Sequence, residues 1–178
     1  MQRLAHIDIP QARHDILIAN AYFLPGRKLR QALIHAAQRG VRVQLLLQGR
    51  YEYFMQYHAA RPVYGQLLAA GVEIYEYAES FLHAKVAVID AHHEHPWATV
   101  GSSNLDPFSL LLAREANVVV ADGFFAKQLQ SGLMHAIEKG SQRVMPEALQ
   151  ARSKFQRVMG WAAFGLMRLA LWLTGNRY

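Results

Sequence analysis

Two runs of apolar residues, separated by one helical pattern, constrain the fold more than any other feature of this chain. The first run covers residues 15–23, which a Pro-Gly pair ends, and the second covers residues 41–47. Between them, residues 27–39 carry apolar side chains at helical spacing and end at Gly40, a common residue after helices. This strand–helix–strand order predicts parallel strands joined by a right-handed crossover.

The remaining periodic segments extend this start into an α/β fold. Helical patterns again end at glycine, and the later apolar runs have the length of strands. We therefore predict a mostly parallel mixed sheet that is flanked by helices on both faces, followed by a C-terminal amphipathic helix. The further predicted elements are helices at residues 56–70, 123–139 and 153–174, and strands at 72–77, 82–90, 98–100 and 115–121.

Polar residues at the ends of two neighbouring predicted strands form the cluster that suggests chemistry. His83 and Lys85 lie two apart at the start of one strand, so their side chains point to the same side. The next strand runs into a Gly-Ser-Ser-Asn corner, where Ser102 and Asn104 can both donate hydrogen bonds to phosphate oxygens. Imidazole, ammonium, hydroxyl and amide groups are suited to phosphoryl transfer without a metal.

These residues resemble the signature of the phospholipase D superfamily, which is H-x-K-x4-D followed by G-S-x-N. The spacing departs from that signature at one place, because more residues than usual separate its two halves. The excess falls in residues 91–96, which predict a longer hairpin turn beside the access route to the site. The matching positions are His83, Lys85, Asp90, Gly101, Ser102 and Asn104.

The segments at residues 19–25 and 97–107 are similar to the C-terminal half of bacterial cardiolipin synthases, and the similarity covers roughly residues 10 to 140. The resemblance implies a phosphatidyltransferase that moves a phosphatidyl group onto phosphatidylglycerol through a phosphohistidine, without a cofactor or a metal. It implies catalytic roles for His83, Lys85, Ser102 and Asn104, with Glu115 orienting the imidazole and Asp90 acting mainly as a structural hydrogen-bonding group. It also implies substrate contacts for Asn20, Tyr22 and Ser103.

The chain carries one such motif, and residues 1–141 show no internal repeat. The resemblance implies two histidines per site, so the second must come from a partner half or from a homodimer mate. His83 matches the second motif, which favours an acid/base role, whereas in a homodimer it would fill both roles. Two alternatives stay open: a metal-independent phosphodiesterase or endonuclease that acts as a one-motif homodimer, and a non-catalytic membrane-bound remnant.

The charge is concentrated at the C-terminal end. Of the 19 Lys and Arg, 13 fall in residues 1–141 and six in residues 142–178, whereas the 13 Asp and Glu divide as 12 and one. We predict a phospholipase D-like half domain at residues 1–141 and a basic, membrane-associating segment at 142–178. A nearly neutral body makes nucleic acid an unfavoured partner, because duplex binding calls for positive charge around the catalytic face.

The last predicted helix has the composition of a helix lying in a membrane interface. Its apolar run at residues 158–173 contains Arg168 and is shorter than the roughly 20 residues that span a bilayer. A basic stripe with flanking tryptophans opposes a broad apolar face, as interfacial helices do. Packing on the protein or on a dimer mate is the alternative. The stripe is Lys154, Arg157 and Arg168 beside Trp161 and Trp172, and the apolar face is Phe155, Met159, Ala162, Leu166, Leu169 and Leu173.

Weaker features of the sequence bear on the cellular compartment and on metal binding. The chain has no cysteine, and its first residues do not resemble a signal peptide. We therefore expect a peripheral protein on the cytoplasmic side of the inner membrane. The turn holds His92, His93 and His95, which could bind zinc, but no distant ligand set is evident, and a solvated loop is favoured.

Overall fold

The computed structural model describes residues 9–50, 54–106, 109–110, 113–151 and 153–173. Seven strands form one mixed sheet, which is covered by helices on both faces. The strands are β1 Asp15–Asn20, β2 Arg42–Gln48, β3 Glu73–Tyr77, β4 Lys85–Ile89, β5 Trp97–Gly101, β6 Asn117–Val120 and β7 Ser141–Arg143. The helices are α1 Ile9–Gln11, α2 Arg27–Gln38, α3 Phe54–Ala69, α4 Gly123–Gly140, α5 Pro146–Gln150 and α6 Lys154–Leu173.

The sheet order is β6-β5-β4-β1-β2-β3-β7. The predicted strand–helix–strand start is confirmed, since β1, β2 and β3 pair in parallel through the crossovers α2 and α3. The other four pairs are antiparallel, so the sheet is mixed but less parallel than predicted. The reason is the connection from β3 to β4, which has no helix to carry the chain back to the starting end of the sheet.

Each face of the sheet buries its own apolar layer. One layer packs α2 and α3 against side chains such as Ile18, Leu45 and Ala87. The other packs α4 against side chains such as Leu17 and Val88. Because successive side chains alternate between the faces, the central strands are apolar throughout, as the sequence predicted.

The helix ends follow the predicted signals. Gly40 and Gly71 both have φ of +91°, a conformation that glycine adopts without steric cost, directly after α2 and α3. Asp122 caps α4, with its carboxylate accepting a hydrogen bond of 2.7 Å from the backbone N–H of Phe125. These local signals were sufficient to place the ends of α2 and α3 and the start of α4.

Three predicted strands are at least three residues shorter in the structure, and the last of them is β6, predicted at residues 115–121 and observed at Asn117–Val120. The strand predicted at residues 82–90 begins only at Lys85, so the prediction that placed His83 inside it is wrong. The first strand ends at Asn20 rather than at residue 23, because the chain leaves the sheet at Ala21, whose N–H still donates to the Ala84 carbonyl oxygen at 3.0 Å. Strand β7 and helix α5 were not predicted. Residues 142–143 continue the sheet within β7. The division of the chain at residue 141 stays a prediction.

Helix α6 packs against α3 along a face of small residues. Gly160 lies there, and a Cβ at this position would stand 3.2 Å from the backbone oxygen of His58. Ala163 is also buried, so the packing that the sequence left as an alternative is observed on this face. The side chains of Arg157, Arg168 and Trp172 lie outside the described part of the chain. None of the described helices is both long and apolar enough to cross a bilayer.

Candidate active site

The predicted site residues gather at one end of the sheet, apart from Asp90. This end holds the carboxyl ends of β1 and β2 and the beginning of the antiparallel strand β4. Asn20 of β1 pairs with Lys85 of β4 at this edge. Sites in α/β sheets commonly lie outside the carboxyl ends of the parallel strands, at the point where the strand order changes.

His83 and Lys85 remain neighbours although only Lys85 belongs to the strand. The ammonium of Lys85 donates a hydrogen bond of 3.2 Å to the backbone oxygen of His83. The imidazole of His83 is exposed, and its ring meets that of Tyr22 edge-on, with centroids 6.5 Å apart. An exposed imidazole beside a half-buried ammonium can bind an anion and transfer a proton to it or from it.

The Gly-Ser-Ser-Asn corner is fixed by two asparagines outside it. The carboxamide oxygen of Asn20 accepts the backbone N–H of Leu105 at 3.0 Å, and the carboxamide of Asn117 donates to the Ser103 hydroxyl at 2.6 Å. Asn20 and Ser103 are both buried, so they support the corner from below, and their predicted contact with substrate stays a prediction. The side-chain oxygen of Asn104 is buried and has no hydrogen-bond partner within the part of the chain that the structure describes.

Glu115 is joined to this corner by two hydroxyl groups. Ser102 donates a hydrogen bond to one carboxylate oxygen, and Ser109 donates to the other at 2.7 Å. The same Ser109 oxygen accepts the backbone N–H of Asn104 at 2.9 Å. Ser109 was missed by the sequence reasoning, and its only local signal is Asp106, whose carboxylate accepts the N–H of Ser109 at 3.1 Å.

These contacts favour the ionised form of the Glu115 carboxylate. The hydrogen bonds from Ser102 and then Ser109 lower its pKa below the ordinary value of 4.5, slight burial opposes them, and the charge of Lys85 adds to the lowering. An ionised carboxylate can hold an imidazolium, which is the role that the resemblance assigned to Glu115. That assignment stays a prediction.

Asp90 lies at the other end of β4 and anchors the backbone. Its carboxylate accepts the N–H groups of Arg13, His14 and Asp15 at 2.9, 2.8 and 2.9 Å. The residue is buried and has a φ of +50°, which is uncommon for a residue other than glycine. These contacts give it the hydrogen-bonding position expected from the resemblance, away from the reacting groups.

The longer turn also lies at that far end. Residues 91–96 connect β4 to β5 in an antiparallel hairpin, so they lie opposite the end that carries Lys85 and Ser102. The expectation that the turn stands beside the access route is therefore wrong. Among the described residues, no group of three or more His, Cys, Asp or Glu side chains is placed to hold a metal ion.

The sequence of this chain is similar to those of cardiolipin synthases. The family model described as "Cardiolipin synthase, PLD-like domain" matches residues 6–136. Cardiolipin synthase B of Escherichia coli is 42% identical over 172 residues, which cover 94% of this chain and 41% of that protein. The minor cardiolipin synthase ClsB of Bacillus subtilis is 30% identical over 154 residues, 86% of this chain and 37% of that protein. The chain thus spans about two fifths of the length of these relatives.

Solved structures share the fold at lower identity. Nuc of Salmonella typhimurium, a phospholipase D family member, superposes with a TM-score of 0.66 at 19% identity, over 80% of this chain and 90% of that one. The phosphatidylserine synthase of Haemophilus influenzae superposes with a TM-score of 0.65 at 14% identity, over 90% of this chain and 41% of that one. The α/β prediction is confirmed by this likeness.

Proposed function

The chain belongs to the family of cardiolipin synthase PLD-like domains, and from this premise we propose that it supplies one half of the active site of a phosphatidyltransferase. The observation that supports the proposal most directly is the gathering of His83, Lys85 and the Ser102–Asn104 corner at one end of the sheet. The substrates are phospholipids of the phosphatidylglycerol class, and the product is cardiolipin.

The reaction has two displacements at phosphorus. One imidazole attacks the phosphodiester of a first phosphatidylglycerol, forming a P–N bond and breaking the P–O bond to glycerol, and the second imidazole gives its proton to the leaving oxygen. A hydroxyl of a second phosphatidylglycerol then loses its proton to that imidazole and attacks phosphorus, which breaks the P–N bond. Lys85 and Asn104 stabilise the equatorial oxygens, and His83 is the acid and base when a partner half supplies the nucleophile.

A partner is needed because one histidine cannot fill both roles at once. Next to the site, Val100 and Val118 are cross-strand neighbours, and 38% and 65% of their surfaces are exposed. Exposed apolar side chains grouped beside an incomplete site fit a surface that a second half or a second copy covers.

The exposed face of α6 supports a membrane location. While Gly160 and Ala163 face α3, the apolar residues Phe155, Leu166 and Leu169 are 74%, 58% and 51% exposed. Gly160 packs where α3 begins, and α3 starts from the end of the sheet that holds the site. We place the chain peripherally on the cytoplasmic side of the inner membrane, with this face in the lipid and the site close to it.

The test is lipid chemistry with a matched control. Monomer and dimer fractions of the purified chain are separated and identified by light scattering. Each fraction is incubated with phosphatidylglycerol vesicles, and cardiolipin is measured by mass spectrometry. We expect transfer by the dimer, none by the monomer, and loss of at least about a thousandfold in the H83A variant, because the reacting imidazole is missing. The H135A variant changes an exposed histidine on α4 and should keep the wild-type rate.

Other results assign the chain to the alternatives. Cleavage of plasmid DNA in the presence of a chelator, without cardiolipin, would favour the one-motif phosphodiesterase. The absence of both activities in every oligomeric state, and also after addition of the amino-terminal half of a cardiolipin synthase, would favour the non-catalytic remnant. Transfer by a verified monomer would contradict the need for a partner. For the membrane face, L166E/L169E should reduce vesicle binding at least about tenfold.

A further inference from the structure

An open groove lies at the end of the sheet opposite the active site. Its volume is about 1230 Å³, and the hairpin turn at residues 91–96 forms one wall. The segment before β1 and the end of α2 form the others. The basic and imidazole side chains that line this histidine groove are Arg13, His14, Arg39, His92, His93 and His95.

Most oxygens of the Asp15 and Asp90 carboxylates around the groove already accept hydrogen bonds within the protein. Asp90 accepts three backbone N–H groups, and Asp15 accepts the carboxamide of Gln130 from α4 at 2.8 Å. The second oxygen of Asp15 stands 3.9 Å from Nε2 of His93. Glu94 is the remaining carboxylate of the lining. Hydrogen bonds from neutral groups leave the charges of these carboxylates in place, so the groove gains net positive charge only through its two arginines together with charged histidines.

Contacts within the protein fix the positions of several hydrogen-bond donors in the groove. The rings of His14 and His93 stack with centroids 3.5 Å apart and an angle of 15° between their planes. Arg39 donates to the backbone oxygen of Ile9 at 3.2 Å, which holds its guanidinium at the groove wall. Trp97 also lines the groove, and its indole N–H is buried without a hydrogen-bond partner in the described ranges.

This chemistry suits an anion. No three ligand side chains are placed to hold a metal among the described residues, whereas guanidinium, imidazolium and indole groups are all hydrogen-bond donors. We propose that the histidine groove is a second binding site, separate from the active site, that takes a phosphate group and binds it more tightly as the pH falls. Histidine as a residue type gains its charge between pH 8 and 5, so the groove becomes more cationic over that range.

The groups that face these imidazoles set the direction of the pH dependence. Arg13 and Arg39 supply guanidinium groups, while Asp15, Asp90 and Glu94 supply the nearby carboxylates. Two stacked imidazoles repel each other when both are charged, and a phosphate bound beside them offsets that repulsion. Phosphate binding should therefore be accompanied by proton uptake.

Calorimetry of the full chain tests this with two ligands, inorganic phosphate and glycerophosphoglycerol, which is the headgroup of phosphatidylglycerol without its lipid tails. We expect affinity for at least one of them to be at least about tenfold higher at pH 6 than at pH 8. The ligand that binds more tightly identifies free phosphate or a lipid headgroup as the source. The H92Q/H93Q/H95Q variant should lose about tenfold or more at pH 6, and R13Q should weaken binding at both pH values.

The H135Q variant is the matched control, since it removes an exposed histidine on α4 outside the groove and should bind as the wild type does. Circular dichroism of each variant establishes that it is folded, and R13Q serves if the triple variant is not. Equal affinity in wild type and both groove variants would overturn the proposal, as would equal affinity at the two pH values. Binding of Zn²⁺ at pH 8 with no phosphate binding at pH 6 would also overturn it. H83A should bind phosphate in the groove unchanged.

Discussion

Lys85 and Asp90 belong to one sequence motif but lie at opposite ends of strand β4. Lys85 is the first residue of the strand, and Asp90 follows its last residue, Ile89. Five steps along a strand separate their Cα atoms by about 17 Å, at roughly 3.3 Å per residue. The motif therefore joins a chemical group at one end of the sheet to a backbone anchor at the other.

Replacing Asp90 by asparagine should cost stability rather than chemistry. The amide cannot accept all three N–H groups of residues 13–15, so we expect about 2–3 kcal/mol of destabilisation, measured by urea unfolding. Asp122→Asn is the control, because asparagine caps helices as well as aspartate does. A folded D90N variant that loses phosphatidyl transfer would contradict the anchoring role.

Ser109→Ala should affect both Glu115 and the corner. The variant leaves the partly buried N–H of Asn104 without its 2.9 Å acceptor and removes one donor to the carboxylate. We expect about 1–3 kcal/mol of destabilisation and a transfer rate per folded molecule lowered at least about tenfold. Ser109→Thr, which keeps the hydroxyl, should recover part of the rate, and Ser131→Ala on the exposed face of α4 should change neither quantity. An S109A variant with wild-type rate would remove Ser109 from the site.

Glu115 should make the free energy of unfolding depend on pH in the acid range. Its folded-state pKa is lowered by the hydrogen bonds from Ser102 and Ser109, so the unfolded chain binds more protons than the folded one. The stabilisation is fully present above the ordinary pKa of 4.5 and is lost as the pH falls through the lowered folded value. Unfolding measured from pH 6 down to pH 3 should show a shallower loss in E115Q than in the wild type. Identical pH profiles would mean that the two hydroxyls do not hold a carboxylate.

Gly101→Ala should strain the connection between β5 and β6. A Cβ at this position would stand 2.5 Å from the backbone oxygen of Ala116 and 2.1 Å from the side chain of Asn117. We expect about 1–3 kcal/mol of destabilisation and a displaced Gly-Ser-Ser-Asn corner. Gly132→Ala in α4 meets nothing within 4 Å and should instead stabilise by about 0.5–1 kcal/mol. Equal melting temperatures for the two variants would contradict the close approach.

Much of the site could be predicted because its residues adjoin strong local patterns. His83, Lys85, Ser102 and Asn104 stand next to apolar runs that could be read as strands, so their common edge followed from the strand order. Ser109 could not be found that way, since its partners Glu115 and Asn104 meet it only through a folded loop. The three polar residues of β7 carry no periodic signal, and their strand exists because β3 offers an edge.

The sequence by itself determined most of the strands and helices, where the longer helices end, and which residue types could act on a phosphodiester, because periodicity and glycine act over a few neighbouring residues. The tertiary structure alone decided that β4 pairs with β1, that Asp90 and the histidine turn lie far from the reacting groups, and that α6 packs through Gly160. Those outcomes depend on contacts between residues distant in the chain, whose energies become available only when the whole sheet has formed.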